Sequence, residues 1–359
     1  MNHKDRIKRL QQSLATHKLD SFLVTHPPNV RYLCGFTGSA GALLISERKT
    51  IFFTDGRYIA QAKEEVQAAR VAIAQKPPLA AAAEWLAKKS RPTTVGIEGD
   101  HMSVAERARL VGLLPKDFRL KSAPALVEQE RLVKDSDEIE LLCSAVMLGA
   151  SLFDVALKSI RPGVREIEVA AEMEYAARRA GADAMSFETI IASGERSALP
   201  HGRASEAKIP SSGFVVCDFG VILTGYCSDM TRTVYVGRPP DEARRLYEAV
   251  KSAQQASIES VRPGVSAGEV DEAARKVLQR EGLGRYFTHS TGHGVGLEIH
   301  ESPRVAAGQK DVLQPGMVIT IEPGAYIPGR WGVRIEDMVA VTETGCDVLT
   351  PTSKEFITI

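Results

Sequence analysis

The sequence predicts an α/β (α+β) protein of two domains, and three observations predict it. Residues 1–125 alternate short β-rich runs with helical patterns, and residues 126–359 carry one order of elements twice. In addition, 359 residues of 44% hydrophobic content exceed what one compact core usually gathers.

In the first domain, SFLVT, ALLIS, TIFFT and TVGIE are apolar, β-branched runs of strand length. Helical spacing of apolar residues covers 5–17, 58–69, 79–89 and 104–114. The charged stretch VEQERLVKDSDEIE follows, which puts the domain boundary near Pro124. Within that stretch Asp135, with Glu138 three residues later, has the form of a capping box that opens a long helix to about Ile160.

The second domain repeats itself. SIRPGV at 159–164 and SVRPGV at 260–265 each separate two helical segments, 137–160 from 165–180 and 241–261 from 267–281. Gly181 and Gly282 then end the second helix of each copy, and each copy continues through a strand-rich stretch to a histidine, His201 in the first and His293 and His300 in the second. Two copies are too few for a solenoid, so two related halves closing on each other are expected, with a site between them.

The chemistry-bearing residues fall in these stretches. VVCDFGVILTGYCSDMTRTVYV reads as a hairpin; a turn centred between Leu223 and Thr224 sets Asp218 directly opposite Asp229 on one sheet face. Like charges so placed repel, and a buried pair needs a proton or a cation. Cys217 and Cys227 read as small apolar residues of the same strands. FTHSTGHGVGLEIHE brings His289, His293 and His300 into twelve residues of a chain with eight histidines, and Gly292, Gly294 and Gly296 permit close backbone approach. Glu322 in MVITIEPGAYI and Glu336 in WGVRIEDMVAV stand within buried strands, where a carboxylate is costly unless paired or metal-bound. Arg334 shares a face with Glu336, placed either to hold a substrate carboxylate or to brace the acidic cluster, whereas Asp337 faces the other way and reads as structural. One imidazole and four carboxylates without a thiolate suit manganese, cobalt or iron better than a structural zinc.

These segments resemble the proline-specific metallopeptidases, the family of Xaa-Pro dipeptidase (prolidase) and aminopeptidase P, on IIASGERSALPHG, DFGVILTGYCSDMTRT, HSTGHGVGLEIHE, ITIEPGAYI and GVRIED. YLCGFTGSAGALLI and FFTDGRY resemble the family's smaller N-terminal domain, so the likeness spans nearly the whole chain. The resemblance implies a creatinase-like N-terminal α/β domain (1–125) and a pita-bread catalytic domain (126–359) built on a pseudo-twofold duplication. It implies two divalent ions, with manganese the first choice and cobalt, iron or zinc the alternatives. Asp218 would chelate one ion, Asp229 and Glu336 would bridge the pair, and His293 and Glu322 would complete the second. Glu322 would also carry the proton, His201 and His300 would stabilise the oxyanion or orient substrate, and His289 and Tyr326 would line the pocket.

The expected reaction is hydrolysis of the Xaa-Pro bond in dipeptides or at peptide N-termini. Prolidase is slightly favoured over an aminopeptidase P acting on longer peptides, and a non-catalytic peptide-binding module is the remote alternative. Methionine aminopeptidase is disfavoured by the extra N-terminal domain, and creatinase by the five metal ligands. A homodimer is expected on family grounds. With 45 basic and 45 acidic residues the chain lacks the charge imbalance of a nucleic-acid or anionic-membrane binder. No apolar run approaches bilayer length, the polar start has no signal-peptide core, and five scattered cysteines lack a C-x-x-C, so a cytoplasmic protein with reduced thiols is expected.

Overall fold

In the computed structural model every residue is described except Ser90, Pro92 and Pro124. The chain divides into two compact units, Met1–Arg131 and Leu132–Ile359. The boundary read from the sequence, at Pro124, lies outside the described residues.

The four strand-like runs of the first unit become β1 (Ser21–Val24), β2 (Ala42–Ser46), β3 (Lys49–Asp55) and β5 (Thr94–Ile97). With β4 (Arg70–Ala74) and β6 (Arg119–Ser122) they form one mixed sheet in the order β4-β3-β2-β1-β5-β6. The helices are α1 (His3–Thr16), α2 (Pro27–Cys34), α3 (Ile59–Glu65), α4 (Pro78–Ala87), α5 (Val104–Leu113) and α6 (Leu126–Arg131). Leu23, Leu44, Ile51, Val95 and Ile97 of the sheet pack with Ala82, Ala83 and Leu86 of α4 and Leu110 of α5. Two elements differ from the sequence reading for local reasons. The helix expected over 58–69 stops at Glu65, because Val66 is extended and Ala68 is left-handed before β4 begins. Helix α2 starts on Pro27-Pro28, where missing N–H groups cost nothing, and stops at Gly35 with φ 82°.

The second unit opens with α7 (Ser136–Ser159), whose Asp135 and Glu138 exchange the expected capping-box bonds. By length and composition α7 could cross a membrane, a property the sequence reading did not recognise. Here Leu142 and Val146 pack in one core cluster and Leu152, Phe153 and Ala156 in another, so one face of the helix lines the interior. The first half continues with α8 (Glu166–Arg179), β7 (Ala184–Met185), β8 (Ile190–Ser193), β9 (Gly213–Phe219), β10 (Val221–Leu223), β11 (Tyr226–Cys227) and β12 (Met230–Val236). The second half has α9 (Asp241–Ser260), α10 (Ala267–Arg280), β13 (Gly292–Gly294), β14 (Glu301–Val305), β15 (Val318–Ile321), β16 (Gly324–Ile327), β17 (Trp331–Arg334), β18 (Asp337–Val341) and β19 (Cys346–Val348).

The duplication is visible in detail. Gly163 and Gly264 of the two RPG turns are left-handed, at φ 87° and 85°, and donate to Ile209 O and Leu313 O at 2.8 and 3.0 Å. The order β12-β9-β8 of one sheet matches β18-β15-β13 within the order β14-β13-β15-β18-β19 of the other. The halves are joined where β12 runs beside β17 and β18. There the buried Arg232 donates to Glu336 O at 2.5 Å and to the Asp337 carboxylate at 2.7 Å, and Asp337 also accepts from Gln254. Asp337 is therefore structural, as its strand parity implied.

Close strand approach depends on glycine at one point of direct consequence for the site. A Cβ on Gly292 would lie 1.9 Å from the backbone oxygen of Thr320. Gly292→Ala should therefore lose about 1–3 kcal/mol of unfolding free energy in chemical denaturation. Gly345→Ala, whose added carbon meets nothing within 4 Å, should stay near wild type, and equal effects would contradict this packing.

Candidate metal centre

The hairpin carrying the two aspartates turns one residue later than the sequence suggested. Thr224 and Gly225 take φ 48° and 79°, and Leu223 pairs with Tyr226, which is the geometry of a tight two-residue hairpin turn. The register that follows pairs Asp218 with Thr231, not with Asp229. It carries Asp229 opposite Gly220, in a break between β11 and β12 where a Cβ on Gly220 would meet Ser228 O at 1.8 Å. The expected direct opposition of Asp218 and Asp229 is thus corrected to a stagger of two residues, which leaves strand parity on one face.

Direct opposition occurs instead between the two glutamates. Ile321 pairs with Asp337 on one side of a break in the second long hairpin, and Gly324 pairs with Arg334 on the other. The shared register sets Glu322 across from Glu336. Both sit at the break rather than mid-strand. Pro323 has no N–H to continue the ladder. The freed amides are taken by neighbours, with Glu322 N donating to Thr291 O at 2.7 Å and Glu336 N to Thr231 O at 3.1 Å. This corner therefore lies between β12 of the first half and β13 of the second.

His293 completes the cluster from β13. Its Nδ1 lies 3.0 Å from Gly294 O, and a carbonyl only accepts, so Nδ1 carries the proton. Nε2 then turns its lone pair toward Asp229 Oδ2 at 3.5 Å and Glu322 Oε1 at 3.6 Å, too far for hydrogen bonds. Burial lowers the His293 pKa to about 4, which keeps the ring neutral. Ligand atoms of Asp229, His293 and Glu336 lie within 4.8 Å of one another.

The charge balance of this cluster calls for a cation. Burial, reinforced by Glu336, Asp218 and Glu322, raises Asp229 well above the usual carboxylate range. Burial and then Glu336 do the same to Glu322, and burial and then Asp218 push Glu336 up to about 8. Asp218 Oδ1 and Glu336 Oε1 are buried without a hydrogen-bond partner. Such orphaned lone pairs are costly. A neutral imidazole with a fixed tautomer, four carboxylates and no thiolate fit divalent cations of hard to borderline character.

A ring of side chains braces the centre. Arg334 donates to Asp218 Oδ2 at 2.5 Å, the Tyr326 hydroxyl at 2.6 Å, Pro200 O at 3.0 Å and Thr231 Oγ1 at 3.2 Å. These bonds make it a brace of the acidic cluster, one of its two expected roles. The Tyr326 hydroxyl donates to His289 Nε2 at 2.9 Å, and His289 Nδ1 donates to Ser290 O at 2.8 Å. Burial, aided by Arg334, lowers the His289 pKa to about 4 and keeps that ring neutral. His300 stands edge-on to His293, ring centres 4.4 Å apart, and is exposed. His201 is exposed too and close enough to His289 and His300 for its charge to lower the pKa of each.

Two residues escaped the sequence reading. Thr231 donates to Glu336 Oε2 at 2.7 Å and faces Asp218 across the ladder; its position two residues after Asp229, on the same strand face, was the available signal. Arg304 lies opposite His293 in the β13–β14 pair, is exposed, and has no hydrogen bond or ion pair recorded among the described residues. Only the register reveals it.

Comparison with known proteins places this geometry in a family. Residues 140–343 match the model of metallopeptidase family M24, and residues 6–133 match that of the creatinase/prolidase N-terminal domain. The Xaa-Pro dipeptidase of Pyrococcus furiosus is 39% identical over 99% of this chain and 100% of that one. The solved Xaa-Pro dipeptidase from Bacillus anthracis covers all of both chains with 40% identity and a TM-score of 0.96. The X-Pro aminopeptidase from Thermotoga maritima MSB8 covers 97% of this chain and 100% of its own, with 34% identity and a TM-score of 0.90.

The raised carboxylates give a signed expectation. Glu336 moves from 4.5 to about 8, so without a cation the fold favours its protonated form. That contribution to stability is fully present below about pH 4.5 and is lost as pH rises toward 8. Cation loading at pH 7 should therefore release protons, measured by calorimetry in buffers of different ionisation heat, and should tighten as pH rises. Loading without proton release would contradict the assigned protonation.

Proposed function

The chain belongs to metallopeptidase family M24, and on that premise we propose that it hydrolyses the Xaa-Pro bond of dipeptides at a dinuclear centre, with manganese as the working metal. The observation that carries the reading is the cluster of Asp218, Asp229, His293, Glu322 and Glu336, with His293 fixed as a neutral donor and two carboxylate oxygens left without partners. Asp218 would hold one ion, His293 and Glu322 the other, and Asp229 and Glu336 would serve both. Divalent ions bound there supply an activated water and polarisation of the scissile carbonyl.

The chain's own side chains do the rest. Glu322 takes the proton of the attacking water and delivers it to the leaving proline nitrogen. His201 and His300, exposed beside the cluster, orient the substrate and stabilise the developing oxyanion. Arg334 and Thr231 hold Asp218 and Glu336 in place through the bonds already described. The Xaa-Pro bond is a tertiary amide without an N–H, which requires a dedicated pocket and explains a separate enzyme class for it. Arg304, exposed opposite His293 and without a hydrogen bond or ion pair among the described residues, suits the free C-terminal carboxylate of a dipeptide.

A second reading, aminopeptidase action on longer peptides, is supported by the full-length likeness to the Thermotoga maritima enzyme. Rates on Ala-Pro, Ala-Pro-Ala and longer peptides with added manganese separate the two. Preference for Ala-Pro supports the dipeptidase reading; equal or better cleavage of the longer peptides supports the second. Inertness toward all of them would overturn the peptidase reading and favour a peptide-binding module. A cytoplasmic homodimer is the form we propose, consistent with five free cysteines, and a monomeric mass in solution would count against it.

Asp229→Ala or Glu336→Ala should lower kcat/KM by more than about a hundredfold with loss of bound metal, assayed by turnover and metal analysis. Arg304→Ala should raise KM for Ala-Pro by about 10- to 100-fold while sparing longer peptides. Unchanged KM for Ala-Pro would remove Arg304 from substrate binding.

A further inference from the structure

His201 stands on a loop, residues 193–205, whose outer part is exposed: Leu199 is 49% exposed and His201 itself is exposed. An exposed loop does not hold an imidazole in register unless something ties it. Near its tip Arg334 donates to Pro200 O at 3.0 Å. Ser197 makes a further tie, accepting from Gly332 N at 2.9 Å. At its base, beside the backbone bond from Ile167 N to Ser205 O at 3.0 Å and the surface pair of Arg203 with Glu188 at 2.9 Å, one side chain gathers both ends.

That side chain is Glu166, the first residue of α8 and wholly buried. Its Oε1 accepts from Ser193 N at 2.8 Å and Ser193 Oγ at 2.9 Å, where the loop leaves β8. Its Oε2 accepts from Ser205 Oγ at 2.7 Å and Ser205 N at 3.2 Å, where the loop returns. Arg196, inside the loop, adds Nε to Oε2 at 3.0 Å and reaches across to Arg203 O at 2.7 Å. One carboxylate thus joins both ends of the loop and its middle. A buried carboxylate that collects this many donors is stabilised by them, and each of its two oxygens holds one end of the loop.

The second half has an analogous arrangement around its own histidines. Asp271 of α10, also wholly buried, accepts from Thr291 N and Thr291 Oγ1 at 3.2 and 2.8 Å and pairs with Arg275. Arg275 in turn donates to His289 O at 2.6 Å. In each half, then, a buried acid on the second helix and an arginine hold the segment that delivers histidines to the centre.

We propose that Glu166 is a positioning residue for His201: by closing the base of loop 193–205 it fixes the imidazole beside the metal centre without touching metal or substrate. The inference rests on the peptidase reading and on the role given there to His201. Glu166→Gln preserves volume but turns an amide NH2 toward donors on one side, so it opens half of the clasp.

The test is a double-mutant cycle of Glu166→Gln with His201→Ala on the metal-loaded full chain, accompanied by amide hydrogen exchange. Glu166→Gln should lower kcat about tenfold, leave KM and metal content near wild type, and speed exchange within 193–205 only. In the His201→Ala background it should cost almost nothing more. Ser205→Ala, a milder opening of the same clasp, should show a smaller loss with the same non-additivity. An equal loss in both backgrounds, or unchanged kcat and exchange in Glu166→Gln, would overturn the proposal. Failure of the peptidase reading would show separately, as an inert wild-type enzyme, and full activity in His201→Ala would overturn both the role of His201 and the inference built on it.

Discussion

Mutual repulsion among buried carboxylates is the constraint on which this structure turns. Asp229, Glu322 and Glu336 are all raised in pKa, first by burial and then by charged neighbours within the cluster. Arg334 is the nearby cation that opposes this, and it already holds Asp218. A fold would not retain such a cluster for stability alone, because well-packed apolar residues would serve better. The arrangement makes sense as a site in which divalent cations supply the missing positive charge.

The backbone around the cluster is organised to bring these acids together. Each of the two long hairpins breaks where an acid is needed, at Gly220 opposite Asp229 and at Pro323 beside Glu322. At each break the ladder is interrupted and the freed groups bond to the other half or to a neighbouring strand, as Glu336 N does to Thr231 O. The duplicated halves therefore meet at the metal centre itself. Arg232 and Asp337 lock the seam from behind, and Arg334 and Thr231 brace it from the front.

Much of this was legible in the sequence because local signals carried it. The Asp135–Glu138 capping box, the two RPG turns and the helix-ending glycines are short-range patterns, and the structure has each where it was read. Register was the weak point. A turn at Thr224-Gly225 instead of Leu223-Thr224 moves every pairing by two, and Thr224 gives little warning that it adopts a left-handed conformation. The opposition of Glu322 and Glu336 and the place of Arg304 opposite His293 are products of long-range strand pairing, which alternation alone cannot supply. Arg334 was recognised by strand parity, yet the partners it braces against, Pro200, Thr231 and Tyr326, are each remote or on another strand.

The most direct measurement of the central claim is anomalous diffraction from crystals grown with manganese, recorded at the manganese edge. Two peaks per chain, enclosed by Asp218, Asp229, His293, Glu322 and Glu336, are the predicted result. A single peak, or peaks outside that cluster, would contradict the account.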